Sequence, residues 1–143
     1  MKVYYFAYGS NMLESRLNAR IASKCIGVGK LNNYQFLCNK KSKDGSAKGN
    51  ISPLQNKFVL GILYEINNSE LKKLDKIEGG YERIEVDIEF DNGIVKAFTY
   101  ISNIKTGALP KKEYLEIIIK GAEDHYLDHE YIKMLKNIPV MQK

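Results

Sequence analysis

The sequence predicts an α+β fold, and three observations carry that reading. Aromatic and β-branched runs come early, in "KVYYFAY", "YQFLCN" and "FVLGILYEI", and read as strands. "YERIEVDIEF" then alternates with period two and turns through "DNG" into "IVKAFTYI", which is the form of a β-hairpin. Two helical segments, "KKEYLEIIIKGAE" and "HEYIKMLKNI", end the order of elements. Strands gathered before a closing pair of helices give a mixed class. Five strands with apolar or alternating faces could close into a small barrel, although the pattern itself leaves closure open.

Each element has a local reason. After the first strand, "GSN" makes a turn into "MLESRLNAR", where Met12, Leu13 and Leu17 recur at helical spacing. Asn11 followed by Glu14 three residues on has the form of a capping box. The stretch "NKKSKDGSAKGN" reads as a solvated, lysine-rich loop. In "NNSELKKLDKIEGG", Leu71, Leu74 and Ile77 make one apolar face, Asn67 or Ser69 can cap the start, and Gly79 suits the left-handed residue that ends a helix. Asp128 precedes "HEYIKMLKNI" as an N-cap.

Composition narrows the function. With 143 residues, 44% hydrophobic and 27% charged, residues 1–143 read as a single globular domain. No apolar run is long enough to span a bilayer, and "MKVYYFAYGSNM" lacks the pattern of a signal peptide, so the expected location is cytoplasmic and no membrane partner is expected. The net charge of +5 is concentrated in the lysine-rich stretch, where no aromatic residues interleave to stack on bases; no nucleic-acid partner is expected. Cys25 and Cys38 read as free thiols. His125 and His129 read as surface histidines, because a transition-metal site needs a third convergent ligand that the sequence does not reveal. No metal or cofactor is expected.

Two places carry chemistry. In "YGSN", Tyr8, Gly9, Ser10 and Asn11, a strand breaks and opens a helix, which aims backbone N–H groups at one point and makes an anion site; a plain strand–turn–helix junction has the same letters. In "KIEGGYER", Glu78 falls at a helix C-terminus, where the partial negative charge disfavours a carboxylate. Dipole and burial beside Ile77 together would raise its pKa, as a group that accepts and returns a proton requires. A surface acid left at a helix end is the bland reading.

Taken in order, "VYYFAYGSNM", "GILYEINNSELKKLDKIEGGYERIEVDI" and "YLEIIIKGAEDHYLDHEYIKMLKNI" resemble the opening strand and loop, central stretch and closing helices of the γ-glutamylcyclotransferase-like (AIG2-like) proteins. The resemblance implies a small mixed β-barrel flanked by helices. It also implies a substrate loop at Tyr8, Gly9, Ser10 and Asn11, and Glu78 as general acid/base. The reaction it implies is attack of a γ-glutamyl α-amine on its own γ-carbonyl, releasing 5-oxoproline and a free amine or amino acid without cofactor. The implied partner is a small γ-glutamyl substrate, to a monomer or homodimer. Tyr81 and Tyr114 stand where the family carries aromatics near the site, and either could instead pack in the core; Tyr100 and the "GNIS" stretch, residues 49–52, have the same status. The alternative is a silent module on this fold that binds a small carboxylate.

Overall fold

The computed structural model describes residues 1–142. Its strands are β1 (Lys2–Ala7), β2 (Lys24–Lys41), β3 (Ala47–Asn67), β4 (Glu82–Phe90) and β5 (Gly93–Ile101), and its helices are α1 (Glu14–Asn18), α2 (Asn68–Ile77), α3 (Lys112–Asp124) and α4 (His129–Lys136). The strands close into a barrel in the order β1-β3-β2-β4-β5. Neighbours run antiparallel except at the seam, where β1 meets β5 in parallel at Tyr5 and Phe98. The small mixed barrel flanked by helices is therefore the fold. Phe6, Ile62, Leu63, Tyr64 and Ile88 are fully buried, and because strand side chains alternate, Ile62 and Tyr64 face one side of the barrel wall and Leu63 the other.

The β4–β5 hairpin forms where the alternation places it. Phe90 pairs with Gly93, so the loop is Asp91–Asn92, and both loop residues have positive φ, 51° and 63°. That is the primed turn whose twist suits paired strands.

Strands β2 and β3 extend well beyond "YQFLCN" and "FVLGILYEI". They make one long hairpin, with its register shifted between Asn32 and Tyr34. Asn33 and Asn56 both adopt left-handed φ there, and the Asn56 N–H donates to Asn33 Oδ1 at 3.3 Å. The proximal half belongs to the barrel, and the distal half carries residues 47–53. The lysine-rich stretch is thus strand rather than loop: Lys40 and Lys41 pair with Lys48 and Ala47, and only residues 42–46 turn. Lysine and glycine conceal a strand whose outer face is wet.

Helix α2 buries Leu71 and Leu74 but leaves Ile77 42% exposed, so the apolar face is one turn shorter than its spacing predicts. Asn67 is the N-cap residue, without a side-chain bond. The left-handed residue beyond α2 is Gly80, φ +87°, and not Gly79. The Tyr81 N–H closes onto Glu78 O at 3.1 Å, so residues 78–81 form a turn that needs glycine in its third place. Asp128 caps α4 as expected, accepting from the Glu130 and Tyr131 N–H groups.

Around Asn11 the structure departs from the capping-box reading. Ser10–Met12 is a 3-10 turn, Leu13 is extended, and α1 starts only at Glu14 with no side-chain cap. Asn11 is buried, with its amide committed elsewhere. Helix α3 holds this turn in place. A Cβ at Gly121 would stand 2.7 Å from Leu13 N and 2.8 Å from Met12 C, so only a glycine lets α3 lie directly on the turn.

Candidate active site

A small cavity opens where the ends of β1, β5 and α2 meet the distal part of β3. Tyr8, Gly9, Ser10, Asn11, Glu78, Tyr81 and Tyr114 all line it, together with Tyr100 and Gly49. Five stretches distant in sequence therefore face one space. Of "GNIS", only Gly49 reaches the wall. Asn50 is buried and ties β3 to the end of β5, giving its amide to Ser102 O at 3.0 Å and accepting the Ser102 N–H at 2.9 Å.

Glu78 caps the C-terminus of α2, with its N–H on Leu74 O at 2.8 Å. It is half-buried and faces the cavity. Loss of water pushes its pKa above the ordinary carboxylate value. Arg20, Arg16 and Lys40, and the hydrogen bond from Asn11, pull in the opposite direction without overcoming burial. Exposed Ile77 contributes little to that burial; the aromatic wall supplies it instead.

Asn11 is the hub of the site. Its Nδ2 donates to Glu78 Oε1 at 3.1 Å and to Tyr5 Oη at 3.0 Å, while its Oδ1 accepts from Arg20 at 3.4 Å. Both amide hydrogens are committed, which fixes the carboxylate's position. The expected anion site changes character as well. A three-residue 3-10 turn has no helix dipole of consequence, so affinity for an anion must come from local N–H groups and nearby cations. Arg16 supplies one, donating from Nε to Ser10 Oγ at 3.1 Å.

The tyrosines divide by what their hydroxyls do. Tyr8 donates to Tyr100 O and Tyr81 to Gly49 O, each at 2.6 Å, so both hydrogens are used in holding the wall. Tyr114 accepts the Gly49 N–H at 2.8 Å, and Tyr5 accepts from Asn11. Their own hydrogens are thereby left to donate into the cavity. Burial raises the pKa of both well above the usual tyrosine value, so both stay protonated donors. Tyr100 is anchored from outside the cavity by Asp75, whose Oδ1 accepts at 2.6 Å.

Sequence reasoning missed Tyr5, Thr99 and the basic rim. Tyr5 lies in the quoted opening strand, but the consecutive aromatics Tyr4, Tyr5 and Phe6 give no sign of which faces inward. Lys40 and Lys48 were placed in a solvated loop. They stand over the Tyr81 and Tyr114 rings, at 5.1 and 4.3 Å from the ring centroids. Among the described residues, none of Arg16, Arg20, Lys40 and Lys48 forms a salt bridge with an acid. The mouth is thus cationic around one acid, which suits an anionic small molecule.

Elsewhere, Cys25 and Cys38 are free and half-buried, with thiols pushed up to about 11 and about 12 by burial. Neither has the lowered pKa of a nucleophile. His129 is exposed, as expected, but His125 is not a surface histidine: its side chain is only 15% exposed and lies beside Glu14. Among the described residues no helix is long and apolar enough to cross a membrane.

Comparison with known proteins identifies the family and the fold. Residues 58–135 match the AIG2-like family. The gamma-glutamylcyclotransferase of Homo sapiens is 31% identical over 145 residues, covering 94% of this chain and 77% of that protein. The Bos taurus gamma-glutamylcyclotransferase is 30% identical over the same shares. A solved gamma-glutamyl cyclotransferase superposes with a TM-score of 0.94 at 27% identity, covering 100% of this chain and 91% of that one.

Proposed function

Since the chain belongs to the gamma-glutamylcyclotransferase family of AIG2-like proteins, we propose that it cyclises a γ-glutamyl group in the Glu78 cavity, releasing 5-oxoproline and an amine or amino acid. The observation that supports this most is a carboxyl group of raised pKa in a small cavity with a donor-rich wall, with Arg16, Arg20 and Lys40 close behind that wall.

The α-carboxylate of the glutamyl group would lie against the Gly9–Asn11 turn, beside Arg16. That placement folds the glutamyl chain and brings its α-amine to its own γ-carbonyl. Alignment of this kind can lower a barrier by roughly 7–11 kcal/mol. The α-amine arrives protonated and is not nucleophilic. Glu78 removes one proton, and the freed nitrogen attacks the γ-carbon to form the ring C–N bond. The developing oxyanion meets the hydroxyl hydrogens of Tyr5 and Tyr114 or the turn's N–H groups. As the tetrahedral intermediate collapses, Glu78 gives that proton to the departing nitrogen and the original amide C–N bond breaks. The second proton on the ring nitrogen then passes through Glu78 to the released amine, which leaves as an ammonium, and Glu78 is ionised again. One carboxyl group serves both steps because burial disfavours its ionised form relative to an exposed glutamate, so it takes the proton more readily and holds it until collapse. The balance closes without water or redox change.

The test is to incubate the protein with a panel of γ-glutamyl amino acids and γ-glutamyl amines, and to measure 5-oxoproline by mass spectrometry. Release in proportion to enzyme is expected. If panel members bind in calorimetry but no 5-oxoproline forms, the chain is a carboxylate-binding module instead.

A further inference from the structure

Away from the Glu78 cavity, three chemically distinct side chains converge from three elements. Glu14 belongs to the first turn of α1, Cys25 is the second residue of β2, and His125 ends α3. One carboxylate oxygen, the Sγ and one imidazole nitrogen all lie within 4.8 Å of one another, and His125 Nε2 is 3.7 Å from Glu14 Oε1. None of the three lines the Glu78 cavity. We propose that Glu14, Cys25 and His125 form a site for a borderline-soft divalent cation of the Zn²⁺ class, which fastens α1 to β2 and to the end of α3.

The donor set selects the ion. A thiolate and an imidazole favour Zn²⁺ or Co²⁺ over Mg²⁺ and Ca²⁺, which take oxygen ligands. Three protein ligands with the fourth position left to water is an ordinary zinc arrangement. Bond lengths of about 2.0–2.3 Å put tetrahedral ligands about 3.4–3.6 Å apart. Glu14 and His125 already stand 3.7 Å apart and no pair exceeds 4.8 Å, so closing to that value needs side-chain movements of about 1 Å. When the S–metal bond forms, the thiol proton passes to solvent and no oxidation occurs. Neighbours in sequence do not account for the cluster, because its members come from separate elements.

The site bears on the cavity through α1. Arg16 and Arg20 lie just beyond Glu14 and reach Ser10 and Asn11. Fastening α1 at Glu14 would restrict both guanidinium groups. The binding proposal is independent of the proposed reaction, and each can fail alone.

Titration of Co²⁺ into the reduced full chain tests it. The expected result is one Co²⁺ per chain, with a thiolate-to-cobalt charge-transfer band in the near ultraviolet and visible bands of four-coordinate intensity, all abolished by Zn²⁺. Cys25→Ser should remove the charge-transfer band and weaken Zn²⁺ binding at least 100-fold, while Cys38→Ser keeps both. Glu14→Gln, at an exposed position, should weaken binding at least tenfold with the fold intact, so the test stands even if Cys25→Ser misfolds. Absence of a charge-transfer band in the parent, its survival in Cys25→Ser, or undiminished binding by Glu14→Gln would overturn the site.

Discussion

The two ends of α2 carry the same side chain in opposite states. Glu70, in the first turn, accepts the Ala22 N–H at 2.7 Å and pairs with Lys73 at 2.9 Å; these partners hold its pKa below the ordinary value. Glu78, at the other end, faces an aromatic cavity that raises its pKa despite three nearby cations and a bond from Asn11. The helix favours this division, since a carboxylate suits the positive end and is penalised at the negative one. Residue type thus says little by itself. What separates a structural carboxylate from one able to move protons is whether donors or apolar walls greet it.

Several changes would break or sharpen this contrast. The largest effect belongs to Glu78→Gln. It should lower kcat by roughly 10²–10⁴-fold, the range general acid–base groups supply, while substrate still binds in calorimetry. Glu70→Gln, assayed beside it, should leave kcat near the parent value. Next comes Gly121→Ala, which drives a methyl group into the backbone of the turn that carries Asn11. Denaturant titration should show a loss of about 1–3 kcal/mol, with KM raised because the turn shifts.

Arg20→Ala should act more gently and on a different quantity. Arg20 holds the Glu78 pKa down, so its removal should move the Glu78 limb of the pH–rate profile to higher pH. An unmoved limb would show that some other group titrates there. The smallest effect is on stability. Glu78 has its pKa raised on folding, so its favourable contribution is full below the ordinary carboxylate value and is lost as pH climbs through the raised one. For Glu70 the sign reverses: its contribution is present above the ordinary value and lost as pH falls through the lowered one. Melting curves against pH should therefore show Glu78→Gln gaining on the parent as pH rises from about 4 to neutrality, and Glu70→Gln gaining on it in acid.

The same contrast explains what the sequence made legible. The β4–β5 hairpin was readable because period-two alternation and a turn signal agree over adjacent residues. Glu78 was readable because it violates a local rule, an acid where helices prefer cations. Asn11 was misread as a cap for the opposite reason: its local pattern fits a capping box, and only tertiary contacts reveal that its amide serves Glu78 and Tyr5. The distal half of the β2–β3 hairpin was hidden by its lysines, which solvate one face of a strand that otherwise delivers Gly49 to the cavity. Barrel closure rests on the pairing of β1 with β5 at Tyr5 and Phe98, 93 positions apart, and no window of local pattern contains that information. The convergence of Glu14, Cys25 and His125 is of the same long-range kind.

The most direct measurement is a carbon-13 NMR titration of the Glu78 carboxyl group in the free protein, assigned by its disappearance in Glu78→Gln. The account predicts a midpoint clearly above that of the exposed glutamates, moving higher again in Arg20→Ala. A midpoint at or below the exposed glutamates, with the group ionised throughout the range where the protein is active, would contradict it.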